Sequence, residues 1–378
     1  MSASEFQYNT MAFSALTDAD RAVWRHIRAA RPALASPFFS LGWHDAVDAT
    51  RGDVEVVRIS LDGEARGFFP FVRGPLGLLR PAGAPMADWH GFVGPAGLAV
   101  DAGNVLRAAR GKAFRFSGAA ADDPVLELAR EVAGTSFLMD ISGGYEAYEV
   151  EARKQHPKAF RNLRARARKL HERHVEMRLD DRDPENLATV LAMKRSQYRS
   201  TRQIDIFEFS WTRELIETLF ARRDHNEPES TRGLLSTLWI DGSLAAGHFG
   251  LQDDATLHYW FPVYVARFAD MSPGIILLHE IAKASTVLGI QRIDLGDGDY
   301  RFKEEFADEL LPIIGGTARV AARGERGHPK RFRAATEVAN PVRRRVARIS
   351  HALTRRVDLM SALHRWSPAR DGGASHRP

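Results

Sequence analysis

Two stretches of this chain, ISLDGEARGFFPF (59–71) and LWIDGSLAAGHFGL (238–251), can be laid one over the other. Each runs from an apolar strand through an Asp-Gly pair and small residues into a glycine followed by aromatic residues. Asp62-Gly63 and Asp241-Gly242 are two-residue turns that accept φ > 0, so each stretch reads as a β-hairpin. The two turns lie about 180 residues apart in a chain of 378. That length exceeds one ordinary core and suits two, so the spacing points to a duplicated unit.

The second copy is the more legible. VEMRLDD reads as a short strand, followed by helices over 184–199 and 210–223 with apolar residues at three- and four-residue steps (Leu187, Val190, Leu191; Leu215, Leu219, Phe220). After the hairpin, Asp253-Asp254 turns into a third strand. SPGIILLHEIAKASTVLGI predicts an amphipathic helix with Ser272 as N-cap, Pro273 in its first turn and Gly289 past its end. QRIDLGD and LPIIGGTARVAA are strands. Ahead of this unit a helix is expected near 17–30, and residues 145–174 read as one helix with seven Lys and Arg between Lys158 and Arg173. The fold class expected is α+β: two similar units with mixed, mostly antiparallel sheets, over 1–148 and 149–325, and a basic helical tail over 326–378.

The absence of cysteine excludes disulfides, thiol catalysis and cysteine-ligated zinc, and it fits a reducing compartment. No signal peptide or membrane-length apolar run is evident, so the expected location is cytoplasmic. The charge is unevenly spread. From His328 onward there are 12 Lys and Arg against 3 acidic residues, leaving 41 against 45 in the first 327 residues. Apolar residues from Val342 to Leu363 repeat at helical steps among arginines, so 341–366 reads as an amphipathic helix for peripheral contact with the inner face of the membrane. The basic helix within 145–174 lacks interleaved aromatics, and no nucleic-acid partner is expected.

Chemistry-bearing residues gather in two places. FPVYVARFADMSPGIILL is a strand, a loop and a helix start, where unpaired N–H groups attract anions and Arg267 adds charge beside Ser272 and Gly274. DLGDGDYRFKEEFAD then brings Asp299, Tyr300, Arg301 and Lys303 toward the same helix start. Its aspartates do not meet the calcium-loop pattern. His171 and His174 have no second pair at useful spacing, so no metal is expected. ADWHGFVGP, with Asp88, Trp89 and His90, is an aromatic-polar cluster suited to lining a sugar cleft.

The stretch LHYWFPVYVARFADMSPGIILLHEIAKASTVLGIQRIDLGDGDYRFKEEFA resembles the C-terminal signature of GNAT-type acyltransferases related to the cellulose-biosynthesis protein CelD. Ser272, Pro273, Gly274, Gly296, Gly298, Asp299, Lys303 and Phe306 match that signature, and SPFFSLGWHDAV, ADWHGFV and MKRSQYRSTRQIDIFEF are also similar to the family. The resemblance spans roughly 30–320 and implies tandem GNAT-like domains, related in fold to the FemABX transferases. It implies an acyl-CoA donor, acetyl-CoA foremost, and an amino sugar of an exopolysaccharide, cellulose or holdfast polymer, or its lipid-linked precursor, as acceptor. The usual acyl-CoA loop is altered: from Arg267 it reads RFADMSPG, with Asp270 where the first glycine would fall. An aminoacyl-tRNA donor and a non-catalytic scaffold are therefore the alternatives.

On this reading the donor binds to Arg267, Ser272 and the N–H groups of Gly274, Ile275 and Ile276. Backbone near Phe261 and Val263 polarises the thioester. Asp299 is the base with His258 as its alternative, Tyr264 protonates the leaving thiolate, and Lys303 orients Asp299 or contacts the donor. Trp89, His90, Tyr198, Trp260, Tyr300 and Arg301 line the acceptor side.

Overall fold

The computed structural model describes residues 5–222, 231–298 and 300–320. Asp299 and the tail over 326–378, with its amphipathic segment, lie outside the described residues. The N-terminal half runs β1 (Gln7–Ala12), α1 (Asp18–Ala30), α2 (Leu41–Arg51), β2 (Val54–Leu61), β3 (Glu64–Arg73), β4 (Leu78–Pro81), α3 (Ala102–Ala108), β5 (Ala113–Ala120) and β6 (Arg130–Asp140). Then follow α4 (Tyr145–Gln155), α5 (Pro157–His171), β7 (Val175–Arg178), α6 (Pro184–Ser200), α7 (Ser210–Ala221), β8 (Arg232–Ile240), β9 (Ser243–Asp253) and β10 (Thr256–Tyr264). The described chain closes with α8 (Pro273–Lys283), α9 (Ser285–Leu288), β11 (Arg292–Asp297), α10 (Arg301–Phe306) and β12 (Glu309–Arg319).

Local chemistry accounts for the main boundaries. Thr17 and Asp20 cap α1 reciprocally, side chain to backbone in both directions. Both Asp-Gly turns take positive φ, 52° and 83° at Asp62-Gly63 and 49° and 73° at Asp241-Gly242, so the hairpins form where expected. The single helix expected over 145–174 is two. His156 sits at φ −126°, ψ 58°, because the following Pro157 forbids helical geometry before it and opens α5 instead. The helix expected to run to Gly289 likewise divides at Ala284 into α8 and α9, and Gly289 closes α9 at φ 69°.

One sheet runs through the whole described chain, in the order β1-β2-β3-β4-β5-β12-β6-β11-β10-β9-β8-β7. The duplication is visible in it. β2-β3-β4 and β8-β9-β10 are antiparallel meanders, and each third strand pairs in parallel with the strand after its helix, β4 with β5 and β10 with β11. The closing strands are exchanged: β6 of the first unit lies against β11 of the second, and β12 of the second lies against β5 of the first. β6 and β12 pair with each other at the centre.

A core cluster straddles the halves, with Phe38, Trp43 and Phe68 from one side and Val190, Phe249, Trp260 and Phe261 from the other. Trp43 is fully buried, edge-on to Phe38 at 4.9 Å and to Trp260 at 5.7 Å between ring centres. A polar strap reinforces the seam: Arg28 donates to Asp253 (2.8 Å), Thr231 donates to Asp253 (2.7 Å), and the Thr231 and Ser40 hydroxyls are 2.6 Å apart. Among the described residues no helix is long and apolar enough to cross a membrane.

Truncating Trp43 removes a large fully buried ring from a packed seam. Trp43→Ala should lower unfolding free energy by about 3–5 kcal/mol, read from the shift in urea midpoint. A shift below a quarter of that would mean that the seam is not a shared core.

Candidate active site

The parallel pairing of β10 and β11 is brief: Thr256 with Arg292, Leu257 with Ile293, His258 with Asp294, and no further. Beyond that rung β10 follows β9 to Tyr264, with a bulge between His258 and Phe261. β11 stays with β6 through a register shift between Asp294 and Gly296, where Gly296 takes φ 74°, a conformation that costs glycine little. The strands part immediately after two ionisable residues that face each other.

Asp294 is buried and fully engaged. Its Oδ1 accepts from Ser136 Oγ (2.6 Å) and Gly296 N (2.8 Å), and its Oδ2 accepts from Trp89 Nε1 (2.8 Å). His258 Nδ1 lies 3.1 Å from the same Oδ2. The other ring nitrogen, Nε2, is 2.9 Å from Oδ2 of Asp88, a residue from the N-terminal half. His258 and Asp294 are 1% and 3% exposed at the side chain, whereas Asp88 is 37% exposed and offers its carboxylate to solvent.

Burial alone would strip His258 of its proton, but the Asp294 and Asp88 carboxylates outweigh it and push its pKa up to about 9. Burial alone would also raise Asp294, and the His258 charge with the Ser136 and Gly296 hydrogen bonds carries it below the usual carboxylate range instead. Near neutrality the pair is therefore imidazolium and carboxylate. Two further groups complete the chamber. Burial pushes the Lys194 amine of α6 down to about 8, against the pull of Asp88, and its Nζ donates to Pro262 O at 3.1 Å. His248 is buried and held neutral chiefly by desolvation, its ring stacked on Tyr259 at 3.9 Å between centres.

The residues singled out in the sequence separate into groups. His258, Trp89 and Lys303 belong to the chamber; Lys303 is 7% exposed and donates to Asp297 O at 2.8 Å. Trp89 is buried with its ring N–H on Asp294, so it orients a carboxylate instead of lining an open cleft. His90 turns away: its Nε2 accepts from Ser117 N and Gly118 N (2.9 and 3.1 Å), and it fills the parting of β4 and β5. Trp260, Phe261 and Val263 are buried on β10, with Trp260 stacked on Phe261 and set against Phe38. Tyr198 lies behind Lys194, whose ammonium is 5.3 Å from the ring centre.

The α8 start departs from expectation. Ser272 sits in left-handed geometry (φ 48°) and its side chain caps nothing. Its carbonyl receives the N–H groups of both Ile275 (3.0 Å) and Ile276 (3.1 Å), leaving only that of Gly274 among the three expected to hold phosphate. Arg267 is exposed and lies over its neighbour Phe268 at 4.7 Å. Tyr264 is exposed at the end of β10, facing Gly274. Tyr300 is exposed, and Arg301 is paired with Glu305 at 2.7 Å.

Residues 157–304 match the family model described as an acetyltransferase (GNAT) domain. That stretch, less than half of the chain, is similar to GNAT acetyltransferase domains. A crystal structure of FemX superposes with a TM-score of 0.50 at 12% identity, covering 83% of this chain and 97% of that one, which is a likeness of fold. A tandem GNAT protein from the clavulanic acid biosynthesis pathway gives a TM-score of 0.48 at 11% identity, over 84% of this chain and 99% of that one. No curated protein matches the sequence. The α+β fold with GNAT architecture is as expected from the sequence, and the GNAT domain makes the protein an acyltransferase whose implied donor is acyl-CoA. The residues present suit such a donor in one respect: a cavity of about 400 Å³ lies beside α8 and α10, with Lys158, Arg166 and Arg301 in its lining.

Asp88, Asp294, Ser136 and Lys194 were not among the expected site residues. Asp294 had a signal, a lone acid inside the apolar RIDL strand opposite a lone histidine inside LHYW. Asp88 stood in the ADWHGFVGP cluster, but its pairing with His258, 170 residues away, had no signal.

The His258–Asp294 pair makes stability depend on pH. His258 is raised from 6.5 to about 9, so its contribution is full below pH 6.5 and is lost as pH climbs through 9. Asp294 is lowered, so its contribution is present above the ordinary carboxylate range and is lost as acid titrates it. Wild-type Tm should therefore fall between pH 7 and pH 10 more steeply than that of His258→Gln. Parallel curves would mean that His258 is uncharged in the folded protein.

Proposed function

We propose that this chain transfers an acyl group from acyl-CoA to the amine of an amino sugar belonging to an exopolysaccharide or its lipid-linked precursor, with the Asp88–His258–Asp294 array managing the acceptor's proton. The reading is carried by one observation: a half-exposed carboxylate backed by a buried imidazolium stands where β10 and β11 part. The parting strands leave backbone groups of β10 without a strand partner on the β11 side, suited to polarising a thioester carbonyl. The amino-sugar acceptor rests on the resemblance of residues 30–320 to the CelD-related family.

The chemistry is a direct displacement. The amine nitrogen attacks the thioester carbon, the C–N bond forms, and the C–S bond breaks. Because His258 is already protonated near neutrality, the accepting atom is on Asp88, and the imidazolium behind it steadies Asp88 while the amine approaches. Asp294, Trp89 and Ser136 hold the imidazole's far side. Lys194 lends positive charge, partial near its own pKa, to the tetrahedral intermediate. Tyr264, exposed at the strand end, supplies the proton that the departing thiolate takes. Asp299 stays a further proposed base, with Lys303 as its orienting partner, and holding the two substrates together supplies much of the rate.

Asp88→Asn and His258→Gln should each lower kcat for acetyl transfer from acetyl-CoA to glucosamine-type acceptors by about 10²-fold or more. Thiol release measures the rate, and CoA affinity should be unchanged. Wild-type turnover in Asp88→Asn would remove this array from the mechanism.

A further inference from the structure

The α8 start does not explain how a donor carrying several phosphates is held. Two of its three expected N–H groups are taken by the Ser272 carbonyl, and Arg267 lies against Phe268. The cavity next to it has the missing charge. It opens between α5, the start of α8 at Ile275, and α10, with Ala159, Leu163, Phe302 and Phe306 as its apolar lining. Two of those helices, α8 and α10, follow β10 and β11, the strands that part at the chamber.

Lys158, Asn162 and Arg166 stand at four-residue steps on α5, one face of the helix, and all three line this cavity. Among the described residues, no hydrogen-bonding or ion-pairing partner meets the side chain of any of the three. The other two charges in the lining, Arg301 and Glu305, pair with each other at 2.7 Å. An amide and two cations set along one wall, with the lining's one carboxylate, Glu305, taken up by Arg301, fit an anion bearing more than one phosphate.

We propose that α5 is the donor's phosphate clamp: Lys158 and Arg166, with Asn162 between them, bind the phosphates of the CoA nucleotide, a task usually left to the backbone at the helix start. The assignment rests on the acyl-CoA reading above. It makes the basic helix part of the donor site.

Calorimetric titration of the full chain with CoA and with 3′-dephospho-CoA tests it. Each charge-assisted phosphate contact is worth roughly ten-fold in Kd, so Lys158→Ala with Arg166→Ala should weaken CoA about 100-fold, with Tm unchanged. Arg161→Ala with Arg168→Ala, on another face of α5, should leave Kd within two-fold. Wild type that binds CoA while the Lys158/Arg166 variant binds it equally well overturns the clamp alone. Equal weakening by both double variants would mean a diffuse charge effect and overturn it as well. Wild type that binds neither compound overturns the acyl-CoA reading, and the clamp falls with it.

Discussion

The exchange of closing strands is the constraint on which the rest of this structure depends. A GNAT-like unit whose last strand pairs with its own sheet could sit beside its twin at many angles. Here β6 is hydrogen-bonded to β11 and β12 to β5, and the two pair with each other at the centre. Backbone pairing has a fixed period and register, so every side chain on one unit is placed relative to the other to within a fraction of a residue step. That accuracy is what a site assembled from both halves requires.

Asp294 shows how the register is used. Its carboxylate collects Trp89 and Ser136 from the N-terminal half and Gly296 and His258 from the C-terminal half. An ionised carboxylate in a buried place is tolerable only with partners of this kind, and each partner's removal leaves charge uncompensated. The network contributes geometry more than stability: it turns the His258 ring so that Nε2 meets Asp88. A half-exposed acid can then work against a buried cation, two environments set a few ångströms apart.

The two units have diverged in what they do with the same topology. In the second, the parting of β10 and β11 holds the polar chamber. In the first, the corresponding parting of β4 and β5 is filled by the chain's own loop, where His90 takes the N–H groups of Ser117 and Gly118. Gly118 has no room for a side chain there, since an added Cβ would stand 1.9 Å from the Asp88 carbonyl. The plugging loop is the one that presents Asp88 and Trp89 to the second unit. Closure of one site and completion of the other are thus the same structural event.

The sequence by itself determined the elements and the duplication. Asp-Gly turns, apolar periods and the Ser-Pro-Gly helix start are short-range chemistry, and His258 and Lys303 stood out as ionisable residues in the motifs that resemble GNAT enzymes. It misjudged places where one residue outweighs a pattern: Pro157 divides a helix whose composition runs on, and Ser272 takes a left-handed geometry that withdraws the expected cap. Only the tertiary structure decided the site. Asp88 is separated from His258 by 170 residues, Trp89 from Asp294 by 205, and Lys158 and Arg166 face α10 only because α5 folds back over it. Such pairs leave no local periodicity to read, because strand exchange and helix packing bring them together, and both are set by long-range hydrogen bonding and burial.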